Sequence, residues 1–177
     1  MPTNAARQAL LADGEPGSFV TTVGITGHQR IPFEALGFVQ KGIADAIQRF
    51  DHHLIGVSSL AAGADQLFAH TVLKAGGRLH IVVPCQDYEE TFSDQSDLDC
   101  FFALLQKAGI IETLDYSEPS EEAFLEAGRR VVNLSDLLIA VWDGEVAKGK
   151  GGTVDIVGYA RERGRNVVIL WPAGISR

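Results

Sequence analysis

Gly151-Gly152-Thr153 opens a helical pattern shortly after the apolar run Leu137-Leu138-Ile139-Ala140-Val141. Glycine lets backbone approach a ligand closely, free N–H groups at a helix start point toward an anion, and the helix dipole favours negative charge there. The chemistry suggested is phosphate binding. Lys150 would add charge compensation, and Asp143 either accepts a ribose hydroxyl or holds the loop by a side-chain turn bond. The spacing is not that of a Walker A loop, and a plain strand–helix turn also accounts for glycines of this kind. Two further segments repeat the pattern. A β-branched run ending in Val23 feeds Gly24-Ile25-Thr26-Gly27-His28, and Leu54–Val57 feeds Ser58-Ser59-Leu60-Ala61-Ala62-Gly63-Ala64-Asp65. Thr26 offers a hydroxyl to a phosphate. His28 either bonds a phosphate or base, or caps backbone groups. Asp65 either supplies a structural charge at a helix start or contacts ribose. The candidate ligand-binding set is therefore Gly24, Thr26, Gly27, His28, Ser59, Ala62, Gly63, Asp65, Asp143, Lys150, Gly151, Gly152 and Thr153.

These residues need a scaffold that brings strand ends together. Hydrophobic periodicity predicts strands near 19–25, 53–58, 79–83, 110–114, 137–142 and 167–171. Helices are predicted near 34–50, 63–75, 95–108, 119–134 and 152–163. Strands alternating with helices imply a mostly parallel sheet covered on both faces, an α/β three-layer sandwich. In such a sheet the strand carboxyl ends share one edge, and ligands bind there. Residues 1–17 read as a flexible, Gly/Pro-punctuated arm, and 18–177 as one domain. The acidic segment 86–96 is either a lid beside the pocket or an ordinary solvated loop, and Cys85, after Pro84, is a candidate pocket neighbour. Phe101, Phe102, Leu104 and Leu105 crowd one helix with more apolar surface than a single buried face needs, so we expect a homo-oligomer.

The chain has 177 residues, within the usual range of one domain. Its formal net charge of −8 argues against sequence-independent nucleic-acid binding, which draws on Lys and Arg; on that ground nucleic acid is an unlikely partner. No apolar stretch approaches the ~20 residues of a membrane span. No signal-peptide pattern opens the chain. The two cysteines, Cys85 and Cys100, have no metal-type spacing. A cytoplasmic protein with reduced thiols, no metal and no resident cofactor is the expectation.

Taken in order, Gly24-Ile25-Thr26-Gly27-His28, Leu60-Ala61-Ala62-Gly63-Ala64-Asp65, Ser135-Asp136 through Trp142-Asp143-Gly144, and Gly151-Gly152-Thr153-Val154-Asp155 resemble the SLOG superfamily, the Rossmann-like group that includes the Smf/DprA and Lonely Guy proteins. The resemblance covers most of the chain from about residue 19. It implies a Rossmann-like fold and a nucleotide or nucleotide-derived ligand at the strand carboxyl ends. Within the group some members sense nucleotide signals, Lonely Guy enzymes cleave the N-glycosidic bond of nucleoside 5′-monophosphates, and Smf/DprA proteins bind single-stranded DNA. Lonely Guy enzymes carry P-G-G-x-G-T-x-x-E, with a catalytic Glu and an upstream Arg. Here the Glu position falls on Ile156 and the Arg position near Ala127. Asp155, one residue earlier, is rotated by about 100° on a helix and is a weak catalytic candidate. The expected function is thus nucleotide binding, as in a sensor. The alternative is an N-glycosidase using Asp155.

Overall fold

Strand β1 (Thr21–Gly27) lies near the middle of a sheet whose strands all run the same way. The computed structural model describes residues 20–145 and 152–176. After β1 come α1 (Phe33–Ile47), a 3₁₀ segment to His53, β2 (Leu54–Ser58), α2 (Ala64–Lys74) and β3 (Arg78–Val83). A 3₁₀ turn (Tyr88–Thr91), α3 (Gln95–Leu105), β4 (Ile110–Thr113), α4 (Glu121–Leu134), β5 (Leu137–Val141), α5 (Thr153–Glu162) and β6 (Asn166–Ile169) complete the order. The six strands are arranged β4-β3-β2-β1-β5-β6, and every pair is parallel. The fold is the expected α/β three-layer sandwich. The expected arm at 1–17 lies outside the described residues.

Alternation along the strands explains the layers. Val23, Ile25, Leu137, Ile139 and Val141 turn to one face, where Val39 and Ile43 of α1, Phe68 and Val72 of α2, and Phe101 and Leu104 of α3 cover them. Ile55, Val57 and Leu138 turn to the other, under Ala127, Val131 and Val132 of α4 and Ile156 and Ala160 of α5. Burial on both faces is why β2 and β5 read as continuous apolar runs.

Two features differ from the sequence reading. First, β1 continues through Gly27, so Gly24 is not a loop residue. It pairs with Val57 and Leu138 inside the sheet. A Cβ there would stand 2.9 Å from Val131 Cγ1 and closer still to Ser135 Oγ, so Gly24 admits the close approach of α4. Second, segment 86–96 is anchored. Tyr88 is buried and meets Phe92 and Phe101 edge-on, with ring centroids 5.5 and 5.6 Å away. Phe101 and Leu104 are used inside the core, and Phe102 is the large apolar side chain that α3 leaves exposed. Most of the apolar surface behind the oligomer expectation is therefore internal. Cys85 is fully buried in the core beneath Pro84.

Candidate functional site

The chain order creates one crevice. From β1 the sheet grows outward through β2, β3 and β4, and then the chain returns to place β5 on the other side of β1. The connections leaving β1 and β5 diverge, and a cleft opens at their carboxyl ends, the usual ligand position in such sheets. It has a volume of about 1130 Å³. Thr26, Gly27, His28, Gln29 and Arg30 line it from the end of β1, Ser59, Ala61 and Asp65 from the β2–α2 loop, and Trp142, Glu145, Gly152, Thr153 and Val154 from the β5 side. Its wall also includes Pro84, Tyr88 and Thr91, and Phe124, Ala127, Gly128 and Val131 of α4 with Ile156 of α5.

The β2–α2 loop is built around Asp65. Its Oδ2 accepts the Ser58 hydroxyl at 2.9 Å and the Ser59 N–H at 3.0 Å, and Ser58 Oγ in turn accepts the Leu60 N–H at 2.9 Å. Leu60 is held in the left-handed region at φ 57°, a conformation that costs a non-glycine residue roughly 1–2 kcal/mol. Gly63 has φ 77° and lies so close to the His28–Gln29 backbone that a Cβ would stand 2.7 Å from His28 O. Burial pushes the Asp65 carboxyl up to about 6, against the opposing pull of the Ser58 hydroxyl and the Ser59, Ala61 and Leu60 N–H groups. Asp65 thus combines a structural role in its own loop with a place on the cleft wall.

His28 and Asp143 close the crevice between β1 and β5. His28 Nε2 lies 3.0 Å from Asp143 Oδ1 and 3.2 Å from the Asp143 backbone nitrogen. A protonated Nε2 donates to the carboxylate; an unprotonated one accepts the N–H. The imidazole also meets Trp171 edge-on, with ring centroids 5.1 Å apart. Asp143 Oδ1 accepts the Glu145 N–H at 3.1 Å, which is the turn bond considered from sequence. Both side chains are more than nine-tenths buried. The pair works as a clasp across the switch point.

The helix ends at the cleft differ. Asp94 accepts the Ser96 N–H at the start of α3, and Ser120 accepts the Ala123 N–H at the start of α4. Gly152, before α5, makes no side-chain cap bond, nor does Gly63 before α2. At α2 the Asp65 carboxylate occupies the first turn. At α5 the first-turn carboxylate is Asp155, which is exposed and outside the cleft lining. The start of α5 is therefore the end better suited to an anion.

Seven of the candidate residues come together around the cleft: Thr26, Gly27, His28, Ser59, Asp65, Gly152 and Thr153. Gly24, Gly63 and Asp143 support it from behind, and Ala62 lines an adjoining recess of about 30 Å³. Lys150 and Gly151 lie outside the described residues. The sequence reading missed the α4 wall. Its signal was the small pair Ala127-Gly128 in an amphipathic helix: a Cβ on Gly128 would stand 2.8 Å from Ile156 Cγ1 and nearer still to Cδ1, so α4 and α5 interlock there. Ala127 and Ile156 are both buried in the same apolar cluster. Arg129 and Arg130 are engaged elsewhere. Arg130 donates twice to Glu112, at 2.9 and 3.1 Å, and the Arg129 guanidinium lies over the Tyr159 ring at 5.4 Å. Among the described residues no group of three or more His, Cys, Asp or Glu side chains is placed to hold a metal, and no helix is long and apolar enough to cross a membrane.

No family model and no curated protein matches the chain. Solved structures do. DNA processing protein A (DprA) from Streptococcus pneumoniae superposes with a TM-score of 0.64 at 19% identity, over 84% of this chain and 50% of that one. The Helicobacter pylori DprA, described with a single-stranded DNA binding mode, gives 0.62 at 18% identity over 88% and 68%. The molybdenum cofactor binding protein of Rippkaea orientalis gives 0.53 at 16% identity over 84% and 75%. The chain shares the Rossmann-like fold of these proteins, and it spans about half the length of the S. pneumoniae protein. One expectation is corrected here. Nucleic acid was set aside as a partner on net charge, yet the fold is shared with a protein described as binding single-stranded DNA. Net charge sums the whole surface, whereas a strand meets only local donors and helix ends, so −8 excludes nothing at one cleft.

Proposed function

We propose that the protein binds a nucleotide or nucleotide-derived molecule in the β1/β5 cleft and does not cleave it. One observation carries the reading: the start of α5, without a side-chain cap, meets the hydroxyl-bearing residues Thr26 and Thr153 on the wall of a single cleft of about 1130 Å³. That volume suits a nucleotide-sized ligand. The same arrangement speaks against the N-glycosidase alternative. Cleavage needs a carboxylate and a cation aimed at charge that develops in the transition state. Ile156 and Ala127 occupy the corresponding positions and are buried together, while Asp155 is exposed outside the cleft. The fold shared with DprA makes a short DNA strand a second source of the same phosphate chemistry.

Calorimetric titration with AMP, ADP-ribose and a short thymidine oligonucleotide tests the reading. At least one is expected to bind, and Gly152→Glu, which places bulk and negative charge at the α5 start, is expected to abolish binding without loss of the folded state. Incubation with nucleoside monophosphates is expected to release no free base by chromatography. Multiple turnovers that stop in Asp155→Asn would establish the hydrolase instead.

A further inference from the structure

We infer that the α4–α5 wall of this cleft is the subsite for the ligand's base and takes it by apolar contact alone, so that the protein does not distinguish adenine from guanine. The inference rests on the proposed nucleotide reading. Phe124, Ala127, Gly128 and Val131 of α4 and Val154 and Ile156 of α5 supply this wall, and none carries a polar side-chain atom. Apart from Val154, in the first turn of α5, their backbone groups are committed to the helical ladder. The wall is also fixed in shape. Gly128 and Ile156 are in such close register that neither helix can slide, and Ala127, Val131 and Ile156 are each almost fully buried.

Several polar atoms elsewhere around the cleft are already engaged. Asp65 Oδ2 holds Ser58 and Ser59, Trp142 Nε1 donates to Glu145 O at 2.8 Å, and His28 faces Asp143. Strong discrimination between bases requires buried polar groups that are left unpaired by the wrong one. A wall of side-chain carbon beside paired polar groups offers instead an apolar surface for a flat ring, with the anionic end directed to Thr26, Gly152 and Thr153.

Titration of the wild-type protein with AMP, GMP, ribose 5-phosphate and inorganic phosphate tests this directly. AMP and GMP are expected to bind within about threefold of each other. Ribose 5-phosphate is expected to bind at least about tenfold more weakly than AMP, the scale of a ring's apolar burial. Phe124→Ala is expected to weaken AMP and leave ribose 5-phosphate unchanged. If that variant does not fold, Phe124→Leu is expected to give the same pattern with a smaller loss. A preference above about tenfold between AMP and GMP, or equal binding of AMP and ribose 5-phosphate, overturns the inference while the phosphate site stands. Failure of every phosphate-bearing ligand overturns both.

Discussion

Gly128→Ala is the sharpest test of how α4 and α5 shape the cleft. In an unconstrained helix interior the change would stabilise by about 1 kcal/mol, because glycine is that much poorer than alanine there. Here the new Cβ would stand 2.8 Å from Ile156 Cγ1 and closer to Cδ1, and Ile156 is only 2% exposed. Overpacking of that kind costs typically about 1–3 kcal/mol. The sum is a net loss of up to about 2 kcal/mol, or a fall in melting temperature of several degrees on the ~2–4 °C per kcal/mol scale of a domain this size. Ile156→Val removes Cδ1, the atom nearest the new methyl. On its own it should cost about 0.5–1.5 kcal/mol. Combined with Gly128→Ala it should recover part of the loss, since Cγ1 still stands 2.8 Å from the new methyl, giving a favourable coupling of about 0.5–1 kcal/mol in a double-mutant cycle. Urea unfolding of the four proteins supplies the measurement. A Gly128→Ala variant that is simply more stable, or a double variant whose losses add, would refute the interlock and with it the fixed wall.

Asp65 and Glu112 make opposite predictions with pH. The folded-state pKa of Asp65 is raised from 3.8 to about 6, so the folded protein holds this proton more tightly; its contribution is full below 3.8 and is lost as pH rises through about 6. The displacement corresponds to on the order of 3 kcal/mol, and Asp65→Asn should gain stability relative to wild type between pH 4 and pH 8; unfolding curves whose difference does not change over that range would contradict it. Burial alone would raise Glu112, but the hydrogen bonds and charge of Arg130, with His80 Nε2 3.3 Å from Oε1, hold it below the usual range, so its contribution is present at neutral pH and lost as pH falls through the depressed value. Arg130→Gln should therefore cost about 1.5–3 kcal/mol at pH 7, the scale of a charged hydrogen-bonded pair, and much less in acid; equal losses at both would show that the guanidinium acts by packing.

Much of the fold was legible because its signals are local. Alternation of strand and helix patterns located the six strands and five helices of the described residues, since β2 and β5 are apolar on both faces and α4 is strongly one-sided. The site was legible only in part, because its contacts join residues far apart in sequence. Ser135-Asp136 carries part of the family resemblance but has a structural part here: Ser135 Oγ donates to Val131 O at 2.6 Å, and Asp136 accepts both the N–H and the hydroxyl of Thr22, pinning β5 to β1. Gly24 looked like a loop glycine because a residue without a side chain reads the same in a turn and under a tightly packed helix; only the position of α4 separates the two. His28 and Asp143 were each weighed against a ligand, and their contact with one another could not be read from either segment.

The same geometry explains why the cleft has a direction. Two helices begin at its rim after glycines that provide no side-chain cap, but the first N–H of α2, at Ala64, already donates to His28 O at 3.1 Å. Asp65 adds to that difference. Its carboxylate stands in the first turn of α2, anchored by Ser58 and Ser59, and above about pH 6 it is charged. An anion approaching α2 meets that charge, while one approaching α5 meets Thr153, with Asp155 outside the cleft lining. With the anion at α5, the next surface along the same helix is Ile156, interlocked with Gly128. On the proposed reading these residues divide the work: Gly152 brings no side chain to one end, Gly128 lets two helices close into an apolar wall beside it, and Asp65 directs the ligand's charge to α5.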